Sequence, residues 1–158
     1  MKLLKDYLID SVNFKDENVK VKFIGDMSRL DSELVELIKK SERDSADATG
    51  LCLNVALNYG GRDEIVHAVR SMASSGEIDL TNLSEEQLSE HLYTAGMPDV
   101  DLIIRPSGEY RLSNFLIWQA AYAEYWFTDK LWPDFSEKDI DNAVIAYASR
   151  DRRYGGTK

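Results

Sequence analysis

Residues 101–135 constrain the fold of this 158-residue chain more than any other stretch. A short apolar run, DLIIR, empties into a polar loop that carries Arg105 and Arg111 on either side of a Pro-Ser-Gly turn. A second apolar run follows and ends at Glu124, and an aromatic run comes after it. Trp118, Trp126 and Trp132, the three tryptophans of the chain, all lie here. An apolar strand that opens into an arginine-bearing loop at a helix start is how an α/β protein builds an anion site.

The rest of the sequence alternates strand and helix patterns. Leu3, Leu4, Tyr7, Leu8 and Val12 recur at helical spacing, with no capping residue ahead of them. Residues 19–24 (VKVKFI) alternate as a strand. Residues 31–44 form a helix with Leu34, Leu37 and Ile38 on one side. Residues 50–58 (GLCLNVALN) are mostly apolar and predict a central strand. A glycine turn follows, and Asp63 and Glu64 then suit the first turn of a helix reaching about Ser74. Ser84 and Gln87 make a capping box for a helix over residues 84–94, ended by Gly96 and Pro98. Residues 101–105 predict a strand, and residues 115–121 a helix capped by Ser113 or Asn114. Residues 124–128 predict a last strand, and Ser136 caps a last helix to about Ala148. The pattern implies one α/β domain over residues 1–158, with a mainly parallel central sheet flanked by helices. Ligands of such sheets bind beyond the carboxyl ends of the strands.

An apolar fraction of 44% and a charged fraction of 30% are those of a soluble globular protein. No apolar run is long enough to cross a membrane, and no charged-then-apolar leader is seen. Cys52 stands alone, so no internal disulfide forms; it is expected to be a small buried hydrophobe in a reducing, cytoplasmic setting. The net charge of −9 argues against broad nucleic-acid binding. A polyanionic ligand must therefore meet a local cationic patch.

Arg105 and Arg111 supply one. Planar guanidiniums match pairs of phosphate oxygens. With the Ser113 hydroxyl and the backbone N–H groups of Leu112 and Ser113, they suit a diphosphate. The competing reading pairs one of them with Glu109 or Asp101. Glu124, among aromatics, needs a partner because an unpaired buried carboxylate is costly. Either a hard cation such as Mg²⁺ or a nearby arginine would serve. The segment from Arg152 to Gly156 reads as a basic tail or as a phosphate-reaching arm. His67 and His91 have no acid or cysteine at a metal or triad spacing. The phosphate-loop, dinucleotide and nucleophile-elbow motifs are not found.

The run RPSGEYRLSNFLIWQAAYAEYWFTDKLWPDF resembles the C-terminal signature of the cis-prenyltransferases, the group that includes undecaprenyl diphosphate synthase. NYGGRDEI, RRYGG and VKVKFIGD match further segments of that family in order and spacing. The resemblance implies an enzyme that adds isopentenyl diphosphate units, with cis geometry, to an allylic diphosphate such as farnesyl diphosphate. It implies an α/β fold, Mg²⁺ as cofactor, a homodimer, and membrane contact only through the lipid product. By position, Arg105, Arg111, Leu112 and Ser113 would hold the diphosphate of isopentenyl diphosphate, and Glu124 would ligate Mg²⁺. Arg153 and Gly155 would reach the diphosphate site of the other subunit.

One departure qualifies that expectation. The Asp-Gly-Asn-x-Arg-Trp-Ala loop, which carries the family's catalytic aspartate, does not occur in the sequence, nor does the Asn-x-x-Arg-Pro stretch. The chain therefore reads as a C-terminal portion of such an enzyme, truncated on its N-terminal side, with no catalytic residue of its own and inactive by itself. The alternative is a non-catalytic accessory subunit of a cis-prenyltransferase complex.

Overall fold

The structure is a computed structural model that describes residues 14, 16–76 and 78–151. The helix expected before Val12 and the tail containing Arg153 and Gly155 lie outside the described residues. The chain divides into two compact units, Met1–Ala95 and Gly96–Lys158.

In the first unit, β1 (Lys20–Ile24) and β2 (Cys52–Ala56) pair in parallel, with Lys20 opposite Cys52 and Ile24 opposite Ala56. The connection between them is α1 (Ser32–Asp44). Its N-cap, Asp31, accepts from the N–H groups of Glu33 and Leu34. Leu34 and Ile38 are buried, and α1 packs on β1, where Val21 and Ile24 are also buried. The end of α1 covers the outer edge of β1: Glu42 accepts from the Phe23 N–H at 2.9 Å, and the Ser45 hydroxyl accepts from the Val21 N–H at 3.1 Å. Side chains thus satisfy edge donors that would otherwise invite another strand.

β2 departs from its expected central place. Its only strand partner among the described residues is β1, and Leu51 is 66% exposed. Cys52 is exposed too, which corrects its reading as a buried hydrophobe. With one edge unpaired among the described residues and no described layer over its first residues, the strand's apolar sequence does not bury itself.

The carboxyl ends of β1 and β2 are tied together. Asn58 donates its side-chain amide to the Asp26 carbonyl at 2.8 Å, and the Leu57 N–H donates to the Ile24 carbonyl at 2.9 Å. Gly25 has φ +120°, and a Cβ there would stand 2.1 Å from the Leu57 carbonyl oxygen. Only glycine fits that crossing.

Helix α2 (Gly61–Ser75) follows, and α3 (Glu85–Ser89) packs against it. The predicted capping box of Ser84 and Gln87 is present in both directions. The helix, however, stops at Ser89 rather than continuing to Thr94, because the Tyr93 N–H donates to Glu64 of α2 at 2.9 Å instead of to a helical carbonyl.

In the second unit, β3 (Leu102–Arg105) and β4 (Glu124–Phe127) again pair in parallel, with Leu102 opposite Glu124 and Arg105 opposite Phe127. Both strand pairs are parallel and carry helices, the expected α/β class. Helix α4 (Glu137–Ala148) packs on β4 and buries Ala143. At its start the Asp139 carboxylate accepts from the Ser136 N–H at 2.9 Å, the Ser136 hydroxyl at 2.6 Å and the Lys130 ammonium at 2.7 Å. These donors hold the Asp139 carboxyl at a pKa of about 2, with the Lys130 hydrogen bond the largest cause.

The helix expected over residues 115–121 is not formed. Ser113, Asn114 and Leu116 have φ of 51°, 63° and 46°, and the segment runs as successive turns. Left-handed residues cannot propagate a right-handed helix.

Candidate diphosphate-binding site

Arg105 is the last residue of β3, so its side chain starts at the carboxyl end of the parallel pair. The Pro-Ser-Gly turn beyond it is fastened to the segment after β4. Ser107 donates its N–H to the Lys130 carbonyl at 2.7 Å, Gly108 to the Thr128 carbonyl at 2.9 Å, and Thr128 to the Arg105 carbonyl at 3.1 Å. Ser107 and Gly108 have φ of 73° and 66°. The positive φ favours glycine at 108, and a Cβ there would also crowd the Asp129 carboxylate at 3.1 Å.

The loop lies against a pocket of about 310 Å³. Apolar side chains line it, among them Leu102, Ile104, Phe115 and Leu116, together with Arg105, Arg111 and Leu112. Three of the residues assigned to a diphosphate thus share one concavity. Ser113 is exposed and does not line it. Because the turns after Leu112 replace the expected helix, no helix dipole acts here, and donors must come from side chains and loop N–H groups.

The two guanidiniums differ in their surroundings. Arg111 forms an ion pair with Glu109, as the competing reading of the sequence anticipated. Arg105 is half-buried and has no ion-pair partner among the described residues. Tyr110, between them in sequence, is exposed and packs its ring on Phe127 with 5.0 Å between centroids.

Glu124 begins β4 opposite Leu102, at the far end of the strand pair from Arg105. Three residues of strand separate the two ends, roughly 10 Å. The Glu124 carboxylate is held by Arg150, just past α4, at 2.5 Å, and the same guanidinium donates to the Tyr125 carbonyl at 2.9 Å. No group of three or more acid, histidine or cysteine side chains able to hold a metal occurs among the described residues. One carboxylate already paired with a guanidinium does not make a Mg²⁺ site by itself.

Two arrangements escaped the sequence reading. An arginine partner for Glu124 was among the sequence readings, but its identity as Arg150 has no local signal, since 26 residues separate them. Glu64 is the other. Placed by sequence in the first turn of a helix, where its charge suits the dipole, it is also 0% exposed and accepts from the Tyr93 N–H and the Tyr59 hydroxyl. Its signal was available: Glu64, Ala68 and Met72 form an i, i+4, i+8 row, and all three are buried. His67 stacks on Tyr93 with 4.7 Å between centroids, and His91 meets the Ser71 hydroxyl at 3.2 Å, in keeping with structural roles.

A family model described as undecaprenyl diphosphate synthase matches residues 1–155. The isoprenyl transferase of Clostridium perfringens is 45% identical over 162 aligned residues, which take in 100% of this chain and 64% of that protein. The ditrans,polycis-undecaprenyl-diphosphate synthase of Escherichia coli K12, named as specific for (2E,6E)-farnesyl diphosphate, is 51% identical over 144 residues, 89% of this chain and 57% of the relative. The crystal structure of lavandulyl diphosphate synthase from Lavandula x intermedia, in complex with dimethylallyl diphosphate, superposes with a TM-score of 0.91 at 36% identity, covering 98% of this chain and 69% of that one. The chain thus spans 57–64% of the length of these two curated relatives. Agreement of this extent in sequence and in fold has one explanation: the chain belongs to the undecaprenyl diphosphate synthase family of cis-prenyltransferases.

Proposed function

We propose that this chain carries the isopentenyl diphosphate side of a cis-prenyltransferase, the enzyme class that lengthens an allylic diphosphate such as farnesyl diphosphate into a polyprenyl diphosphate. The reading rests on one observation above all. Arg105, at the carboxyl end of β3 and without a carboxylate partner among the described residues, lines one largely apolar pocket together with Arg111 and Leu112. The guanidiniums would hold the diphosphate, and the aliphatic lining would take the five-carbon unit. Ser113 would add its hydroxyl from the adjoining turn. Arg153 and Gly155 are assigned to the same diphosphate from a second copy, in a homodimer. Glu124 is assigned to Mg²⁺, a contact that requires Arg150 to release its carboxylate. No residue is assigned to catalysis, so the 158-residue chain alone is expected to make no polyprenyl product.

Calorimetry with isopentenyl diphosphate tests the binding half of this reading. The parent chain should bind, and Arg105→Ala should weaken binding about tenfold or more, the effect of losing charge-assisted hydrogen bonds. Unchanged affinity in Arg105→Ala rejects the site. Incubation with labelled isopentenyl diphosphate, farnesyl diphosphate and Mg²⁺ tests the other half, and polyprenyl product from the purified chain rejects the inactivity.

A further inference from the structure

The turn that carries Arg105 takes its shape from the segment after β4. The Ser107 and Gly108 N–H groups donate to the Lys130 and Thr128 carbonyls, and the Thr128 N–H returns to the Arg105 carbonyl. The Lys130 N–H donates to the Thr128 hydroxyl at 3.3 Å, which closes the segment on itself. The turn is therefore placed only as well as residues 128–130 are placed. Lys130 ties those residues to α4. Its ammonium lies 2.7 Å from one oxygen of the Asp139 carboxylate and 2.9 Å from the other. Asp139 sits in the first turn of α4 with its side chain 5% exposed, and it also accepts from the Ser136 N–H and hydroxyl. A buried carboxylate with that many donors cannot leave its position without orphaning them.

A capping box at the start of α4 needs only the Ser136 donors. The Lys130 bonds are additional, and they join the helix to the segment under the arginine turn. They also commit the Lys130 charge to Asp139, so that the residue whose carbonyl holds Ser107 spends its ammonium on the helix. We propose that Asp139 is a positioning residue of the diphosphate site: through Lys130 it fixes the segment on which the Pro-Ser-Gly turn hangs, and so the direction in which Arg105 offers its guanidinium. This role rests on the proposed binding of a diphosphate at Arg105. A guanidinium makes paired bonds to phosphate oxygens only when its plane meets them. Freedom at the Arg105 carbonyl therefore costs affinity although no group that touches the ligand is removed.

The test is calorimetry of the full chain with isopentenyl diphosphate, for the parent, Asp139→Asn, Lys130→Met and Ser136→Ala, alongside hydrogen exchange at the Ser107 and Gly108 amides. Asp139→Asn and Lys130→Met should each weaken binding about fivefold and speed exchange at both amides. Ser136→Ala weakens the cap of α4 but leaves the Lys130 bonds in place. It should lower the melting temperature and keep the affinity within about twofold of the parent's. With Arg105 already replaced by alanine, Lys130→Met should cost less than about twofold more, because the effect passes through that guanidinium. Tighter binding in Asp139→Asn overturns the proposal, since a released Lys130 would then be a diphosphate ligand itself. Unchanged affinity in Asp139→Asn and Lys130→Met, with Arg105→Ala still weakening the parent, also overturns it and leaves the diphosphate site standing. Unchanged affinity in Arg105→Ala removes the site, and the positioning role with it.

Discussion

Replacing Glu64 by alanine takes the acceptor from two donors at once. The Tyr93 N–H loses its bond to one carboxylate oxygen, 2.9 Å long, and the Tyr59 hydroxyl loses the other. A fully buried donor without an acceptor costs about 1–3 kcal/mol; both of these are part-buried, so about 2–6 kcal/mol is the upper range for the pair. Part of this is offset because the substitution also removes a carboxylate that is expensive to bury. The net expectation is a loss of about 3 kcal/mol. Glu64→Gln keeps the shape and an acceptor for Tyr93, and should lose only about 1 kcal/mol. Urea unfolding followed by far-UV circular dichroism measures the difference, provided the slope against denaturant is unchanged. Hydrogen exchange at the Tyr93 amide supplies the residue-level reading and should accelerate in Glu64→Ala. An unfolding midpoint equal to that of the parent, or a Tyr93 amide as protected as before, would refute the claim that the carboxylate holds this turn.

Two further substitutions probe other parts of the fold. Asp139 has a folded-state pKa of about 2, below its ordinary value of 3.8, so it stabilises the fold above pH about 4. That contribution disappears as the pH falls from about 4 to about 2. Asp139→Asn should therefore flatten the pH dependence of the unfolding midpoint in that window, and a dependence as steep as the parent's would count against the Lys130 and Ser136 bonds. Gly25→Ala places a methyl group 2.1 Å from the Leu57 carbonyl oxygen at φ +120°. It should cost about 3 kcal/mol or more, read as a lowered melting temperature.

The parts of the fold that were legible in the sequence are those whose cause is local. Asp31 caps α1, Ser84 and Gln87 close a box on α3, and Ser136 opens α4, each with partners no more than three residues away. The strands were legible from the alternation in VKVKFI, the apolar runs before Asn58 and Arg105, and the aromatic run after Glu124. The failures share a different cause. Nothing in FLIWQAA shows that Ser113, Asn114 and Leu116 take left-handed backbone conformations. Non-glycine residues are held there by their surroundings, and helical propensity yields to them. Helix α3 is shortened by a carboxylate 29 residues away. β2 looks central because its side chains are apolar, yet burial depends on what lies over them, which its own sequence does not encode.

Losing the helix after Leu112 changes how the arginine loop can bind an anion. A helix N-terminus would have added about half an elementary charge that no side chain could neutralise. Without it, attraction comes from guanidiniums set in a chain of net charge −9. These are not equivalent, since Arg111 is held by Glu109 and Arg105 is held by no described carboxylate. A diphosphate that takes Arg111 exchanges one exposed ion pair for another, and such pairs are worth about 0–1 kcal/mol. A diphosphate that takes Arg105 gains a charge-assisted bond with no pair to break, in the shelter of an apolar pocket. Affinity should therefore be concentrated at Arg105: its alanine variant should lose about tenfold or more in isopentenyl diphosphate affinity, and Arg111→Ala only about fivefold or less. Glu109→Gln should tighten binding by freeing Arg111. Equal losses at the two arginines, with no effect at Glu109, would mean that the Glu109 pair does not compete with the ligand at all.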